Sequence, residues 1–542
     1  MDRPAQRRHK KRFNSSGYLT SIVDRNGNTT TIVVDSTNQN RISSITDPGG
    51  MTLTFNYSNA SYPRLCTSIA DSVGSVATYA YDFATGRITQ VAYADGSQLN
   101  FAYTDPNSNT LISRITDSQG KVVETHTYDS QRRGLTAQRA NNVDQVTVTY
   151  NYPYTNENMV TDSVGNSSDV FLGNVAQRFY TASTTGQGCA SCGYSTPVSY
   201  QGNASGYLDV KTDAQGNTSR YTYDSKGNVL TEKRPDSNNV GGPSTYDTWT
   251  YTYNSFSEVL TATDPLSHTT TYQYDSNGNL TSVTTPSPDG VIAPSVTTFT
   301  PNAQGQITQI TDPLNHQTTI AYCPTGISTC PYGMISSITD AQSHQTSYAY
   351  DGRRNRTSVT DANNNTTQFQ YDNMSRLTLI TYPTSPATTV QFHYDYRGRR
   401  DYVIDQNNNK TTYAYDDADR LTSVTDAQTP SAGVTTYAYD TEGYVKDIYD
   451  ANNNHTHFDY FYAYTYIRTT FPSGYTESYT FDGNKNLTFK TDRNQNRIQY
   501  IYDTQNRMVR KTYPDSTQVN YTFDPAGRLT QVTDPTGTYT LG

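Results

Sequence analysis

This chain has little of what ordinary globular domains are built from. Hydrophobic residues fill only 33% of its 542 positions and charged residues only 16%, and tryptophan occurs once. No stretch approaches the ~20 apolar residues of a membrane-spanning helix. The one basic run, Arg7, Arg8, His9, Lys10, Lys11 and Arg12, is not followed by the apolar core of a secretory signal, so residues 1–16 read as a disordered basic tail. The net charge of −9 leaves no basic face for a phosphate backbone, which excludes nucleic acid as a partner. Five cysteines (Cys66, Cys189, Cys192, Cys323 and Cys330) are too few for a disulfide scaffold and fix no redox compartment. No Ser-His-Asp order, phosphate-binding loop, dinucleotide fingerprint or paired-carboxylate site emerges, so the sequence predicts no enzyme, no cofactor and no metal.

What is abundant is tyrosine, present 48 times, among Thr, Ser, Asn, Gln, Asp and Gly. Low apolar content with high charge would mean disorder. Here charge is low, and Tyr and Thr pack well on a pleated surface. The composition predicts an all-β protein whose apolar surface is aromatic rather than aliphatic.

The sequence also repeats itself. "TTYAYDDADRLTSVTDA", residues 411–427, returns in parts along the chain. The Tyr or Phe before Asp falls at Tyr350, Tyr371, Tyr394, Tyr415, Tyr439, Phe481, Tyr502 and Phe523, in steps of 21, 23, 21, 24, 42, 21 and 21. Earlier copies include Tyr81, Tyr128, Tyr223 and Tyr274. Each unit holds two strand-like runs and two turn signals rich in Asp, Asn and Gly, which supply the positive φ of tight turns. One unit is thus a β-hairpin. A lone hairpin is marginal in water, so units must pair edge to edge into a long coiled sheet. Leu421 and Val424 are three apart, which leaves two alternatives: a bulge intervenes, or both faces are partly covered. Residues 17–169 carry degenerate units and residues 207–542 regular ones. Residues 170–206, with Cys189-Ala-Ser-Cys192, lack the repeat, and "HTHFDYFYAYTYIR", residues 455–468, replaces it with a denser aromatic run.

Several residues carry candidate chemistry. Phe458, Tyr460, Tyr462, Tyr464 and Tyr466 alternate and would form a ladder on one strand face. Such a ladder could stack on sugar rings, making cell-surface glycans a partner, or simply be sheet wall; the wall is preferred because Tyr fills every unit. Cys323 and Cys330 suit a local disulfide. Cys189 and Cys192 as half of a zinc site would need a second pair of suitable spacing. His268, His316 and His344 hold one place in the repeat and read as turn or strand-start residues. His455 and His457 could share a face but offer no third ligand. Asp275 to Asn279 resembles a calcium loop, yet Asn and Gly dominate it, so a turn explains it better. Asn28, Asn217 and Asn365 fit the glycosylation pattern and are read as turn Asn followed by strand Thr.

The recurring G-x-L-T-x-V-T-D-x-x-G-x-x-T-x-Y-x-Y-D resembles the YD repeat of the Rhs (rearrangement-hotspot) family. Clear copies are Gly227-Asn-Val, Tyr221-Thr-Tyr-Asp224, Leu280-Thr-Ser-Val-Thr and Gly527-Arg-Leu-Thr-Gln-Val-Thr-Asp534. The resemblance covers nearly the whole chain and implies tandem β-hairpins spiralling into a partial or complete hollow shell. It implies a shell like those of bacterial toxins and toxin-complex C components, around a C-terminal effector, with immunity or delivery proteins as further partners. Teneurin shells of the same type are extracellular and adhesive, so a secreted or cell-surface location is implied, and a carbohydrate-binding adhesin is the alternative function. Asp534-Pro-Thr-Gly537 superficially matches the family's core-closing segment. Asp47-Pro-Gly-Gly50 and the Asp-Pro turns at Asp264 and Asp312 make it an ordinary repeat turn. The chain stops at Gly542 within a unit and is read as a non-enzymatic shell segment.

Overall fold

The aspartates build the turns. Around residues 259–285, the strand Val259–Thr263 runs into Asp264, and Thr269–Tyr274 runs into Asp275 before Leu280–Thr285. The Asp264 N–H donates to the His268 carbonyl, and the Ser267 N–H returns to the Asp264 carbonyl, both at 3.0 Å. The Asp264 carboxylate accepts the amides of Leu266 and His268 at 2.9 and 2.8 Å. Asp275 clamps its turn identically through Asn277 and Asn279. A short acceptor that reaches the amides two and four residues ahead holds the turn locally, which is why Asp recurs there. The fourth turn position takes positive φ: 78° at Gly278, and 68° at Ser267 in the matching place.

A bulge follows every tyrosine turn in this region. Tyr274 pairs with Leu280, but Gln273 pairs with Ser282, leaving Thr281 extra. Likewise Tyr415 pairs with Leu421 and Ala414 with Ser423. That slip places Leu421 and Val424 on one face, and so decides between the two alternatives left by their spacing.

The tyrosine itself is a tether. Tyr274 Oη donates to the Val259 carbonyl at 3.0 Å, and Tyr322, Tyr350 and Tyr415 donate to Ile307, Ile335 and Arg400, each at 2.8 Å and each 15 residues back. The ring lies across the preceding strand while the hydroxyl closes its first carbonyl. One residue type thus supplies apolar area and a polar handle.

The structure, a computed structural model, describes residues 9–35, 40–140, 142–150, 156–175, 178–186, 198–235, 246–287, 293–324, 329–427, 433–461 and 466–541. Among them the unit repeats into one antiparallel sheet of 47 strands, from Lys10–Phe13 to Gly537–Thr540, each paired with the next in the chain. There is no helix among these residues, and none long and apolar enough to cross a membrane. The first and last strands do not pair, so the sheet is a spiral rather than a barrel. The strand Lys10–Phe13 corrects the reading of a disordered tail at those four residues, and residues 1–8 lie outside the described residues. A turn in which the Gly17 N–H donates to the Asn14 carbonyl at 3.0 Å folds the end of the basic run back onto Leu19–Val23. Strands also run through part of the stretch that lacks the repeat, Ser167–Val175 pairing with Arg178–Gly186.

The sheet is one layer thick. Cys323 is the one fully buried side chain among the described residues, and most strand residues are half-buried. Its coils hold together at their edges, where turns of one coil meet turns of the next. The hydrogen bonds across this seam join residues 253 to 307 apart. Asn26 and Asn279 exchange side-chain hydrogen bonds at 3.0 and 2.8 Å. Arg353 reaches Asp71 at 2.8 Å, Arg376 reaches Asp95 at 3.0 Å, and Arg397 Nε donates to Asp117 Oδ2 at 2.6 Å. Further along, the Ser163 N–H donates to the Glu442 carboxylate at 2.8 Å, and Gln505 Nε2 donates to Asp247 at 2.6 Å.

Candidate functional site

The aromatic run is divided by the fold. Phe458 and Tyr460 lie on the strand His455–Phe461, whereas Tyr466 opens the strand Tyr466–Thr470 directly across from Phe461. Tyr462 and Tyr464 lie outside the described residues. The ladder therefore does not run along one strand, because Tyr466 stands on the antiparallel neighbour of the strand that holds Phe458 and Tyr460. Tyr460 Oη donates to the Val445 carbonyl at 2.8 Å, the same tether as in other units. The Phe461 and Tyr466 rings meet at 5.6 Å.

Alternation puts His455, His457 and Asp459 on the other face of that strand. Across from it, Asp447 pairs with His457 and Tyr449 with His455. Asp447 Oδ1 lies 2.7 Å from His455 Nε2 and 2.6 Å from His457 Nδ1. His457 Nε2 lies 3.1 Å from Asp459 Oδ1, and Asp459 Oδ2 accepts Arg468 Nε and Nη2 at 2.9 and 2.8 Å. The Tyr449 ring stacks on His455 at 4.4 Å. A cleft of about 610 Å³ opens beside His455, His457, Asp459 and Arg468.

The electrostatics of this group follow from its contacts. The hydrogen bond to Asp447 raises the His457 pKa; burial opposes it, and Asp459 adds to it. Burial works to raise Asp447, but hydrogen bonds from His457 and His455 outweigh it and hold the carboxyl below the ordinary range. Spacing within the strand revealed the two histidines and missed Asp447, which comes ten residues before His457 and meets it only through strand register. The signal available was His-x-His-x-Asp, with an acidic residue at the facing position.

The remaining candidates are turn chemistry. His268, His316 and His344 place Nδ1 at 3.1, 2.8 and 3.0 Å from the carboxylates of Asp264, Asp312 and Asp340. Asn28, Asn217 and Asn365 donate to the carboxylates of Asp24, Asp213 and Asp361 at 2.7, 3.1 and 3.0 Å from the same turn position. Arg420 fills that position against Asp416 at 2.8 Å. Cys323 and Cys330 are joined as a disulfide, with a Cα–Cα distance of 5.2 Å. Cys189 and Cys192 lie outside the described residues.

The family description "RHS Repeat" matches residues 253–292, 331–366, 354–386, 403–431 and 502–539. These segments are RHS repeats. No curated protein matches the sequence of this chain. The RHS-repeat sheet resembles chains in solved toxin-complex structures. A Tc holotoxin pore of Photorhabdus luminescens matches at 12% identity with a TM-score of 0.58, covering 99% of this chain and 36% of that one. A TcdB2-TccC3-TEV crystal structure matches at 12% identity and 0.58, covering 97% and 37%. TcdB2-TccC3-Cdc42 matches at 11% and 0.57, covering 98% and 35%. The likeness is one of fold, and the chain spans little more than a third of the chains it matches.

The seam of this RHS-repeat sheet predicts a pH optimum. Burial works against ionisation of Asp71, Asp95 and Asp117, yet hydrogen bonds and the facing guanidinium groups outweigh it and lower all three pKa values. Their contribution is present above the unfolded aspartate value near ~3.9 and is lost as pH falls through the lowered folded values. Asp162 and Asp440 behave oppositely: burial, then the Glu442 charge, raises both. Their penalty at neutral pH is relieved as pH falls through those raised values. Urea midpoints measured across pH should therefore peak on the acid side of neutrality and collapse below about pH 4. A midpoint still rising below that pH would contradict the assignment.

Proposed function

We propose that this chain is a wall segment of a toxin-type shell, one that encloses or presents an effector and catalyses nothing itself. The observation that carries the reading is the seam. A single-layer sheet becomes a barrier only if its coils close against one another, and here turn after turn is joined to the coil above by ion pairs and amide hydrogen bonds. The fold likeness to toxin-complex chains supports it. Catalysis is not needed for such a role, and the tyrosines and aspartates that dominate each unit are engaged in tethers and turns. On this reading the protein is exported, its partners are the effector and the proteins that deliver or neutralise it, and the effector lies in the polypeptide beyond this chain.

Limited proteolysis of the full-length polypeptide tests the reading. The segment following residue 542 is expected to survive while the wall is intact, and to be digested when Arg353→Ala and Arg397→Ala open the seam. Digestion of that segment in the intact protein as fast as when it is made alone would overturn the reading.

A further inference from the structure

The sheet does not need the chemistry found at residues 447–459. In the regular unit the four corresponding register positions are Thr261, Thr269, Thr271 and Gln273, and Thr263 and Thr269 close the strand pair through their hydroxyls at 2.8 Å. The pair Thr360 and Thr366 does the same elsewhere. Here those four positions are Asp447, His455, His457 and Asp459, all on one face. Four neighbouring replacements by imidazole and carboxylate, where hydroxyls and amide suffice, add a capability rather than a support.

We propose that Asp447, His455 and His457 form a divalent transition-metal site, and that zinc is the ion their donor set fits. Asp447 Oδ1, His455 Nε2 and His457 Nδ1 lie within 4.8 Å of one another, and each residue offers one donor atom. Two imidazoles with one carboxylate suit zinc and its neighbours, whereas calcium and magnesium take oxygen donors. A tetrahedral zinc centre with bonds of about 2.0–2.2 Å sets its donors about 3.3 Å apart. The two hydrogen-bonded distances of 2.6 and 2.7 Å must therefore open slightly, which half-exposed side chains allow.

The outer contacts are those of a metal-binding histidine. The second nitrogen of His457 faces Asp459, which is itself gripped by Arg468. A carboxylate there fixes the ring and strengthens the nitrogen that binds the metal. Tyr449 stacked on His455 fixes the other ring. Three protein ligands beside an open cleft leave a fourth position for water or an incoming carboxylate or imidazole.

The test uses the full chain with Cys189→Ser and Cys192→Ser, so that those thiols cannot take the ion. After chelator treatment it is titrated with Zn²⁺ by calorimetry at neutral pH. One saturable site per chain is expected, and Zn²⁺ should raise the thermal midpoint. His455→Ala with His457→Ala should abolish both effects. Asp459→Asn should weaken binding roughly 10–100-fold. His316→Ala, which removes a single-histidine turn pair, should change nothing. Absence of saturable Zn²⁺ binding, or its persistence in the double variant, overturns the proposal. Should the double variant fail to fold by circular dichroism, Asp447→Asn decides: undiminished affinity in it overturns the site.

Discussion

Arg397→Ala is expected to cost about 3–5 kcal/mol, the largest loss from any single seam residue, because it strands a buried charge. The Arg397 side chain is 7% exposed and that of Asp117 is 3% exposed. Besides Asp117, Arg397 Nη1 donates to the Asp417 carbonyl at 2.7 Å and to Asp419 at 3.0 Å. One guanidinium thus ties its own coil's next turn to the coil below. Truncation would leave Asp117 with its own turn amides from Gln119 and Lys121 and the Tyr396 hydroxyl, none of them a cation. The effect should be local, since Arg376–Asp95 and the Arg139 contact to the Ala418 carbonyl remain on either side. Urea unfolding gives the total, and hydrogen exchange should show the Asp117–Lys121 turn opening first. Adding Asp117→Asn should recover part of the loss, because it removes the uncompensated charge and keeps an acceptor for the turn amides, as Asn203 and Asn254 do in their own turns. The comparison residue is Arg133, which pairs with Asp129 within one exposed turn. Equal losses for Arg133→Ala and Arg397→Ala would remove the seam from the account of stability.

Tyr350 should separate the two duties of the repeat tyrosine. The residue is 9% exposed, and its hydroxyl donates to the Ile335 carbonyl at 2.8 Å. Tyr350→Phe removes one hydrogen bond and should cost about 0.5–1.5 kcal/mol. Tyr350→Ala also removes a buried ring from a one-layer wall and should cost about 3–5 kcal/mol. Thermal unfolding of both, beside Tyr539→Ala at a position 53% exposed, checks the division. A phenylalanine variant as damaged as the alanine one would mean the hydroxyl, not the ring, is the main tie. An alanine variant no worse than Tyr539→Ala would mean the ring packs nothing.

Much of the hairpin was legible because its causes are local. Asp followed by Gly or Asn at fixed distances writes a turn, and two tyrosines two apart write a strand face. The histidines at 268, 316 and 344 could be read as turn residues from their place in the period alone. The aromatic run misled for a physical reason. Alternation from Phe458 to Tyr466 is compatible both with one long strand and with two antiparallel neighbours, and the sequence between Phe461 and Tyr466 has no Gly or Pro to mark the second. Similarly, the basic run looked like a tail because strand pairing of Lys10–Phe13 rests on the backbone, to which its charged side chains contribute little.

What the sequence determined by itself is the unit and its propagation: a Tyr-Asp period near 21 residues, each hairpin bound to pair with the next. What the tertiary structure alone decided is which units meet around the spiral. Arg397 finds Asp117 across 280 residues because about two dozen twisted strands between them bring the coil round to that turn. Twist per strand is a small angle set by backbone sterics and bulges, and its sum over many strands fixes the meeting point. No local pattern carries that sum. The Asp447, His455 and His457 group shows the same division on a smaller scale, since the histidines are local to one strand and their carboxylate arrives only through register.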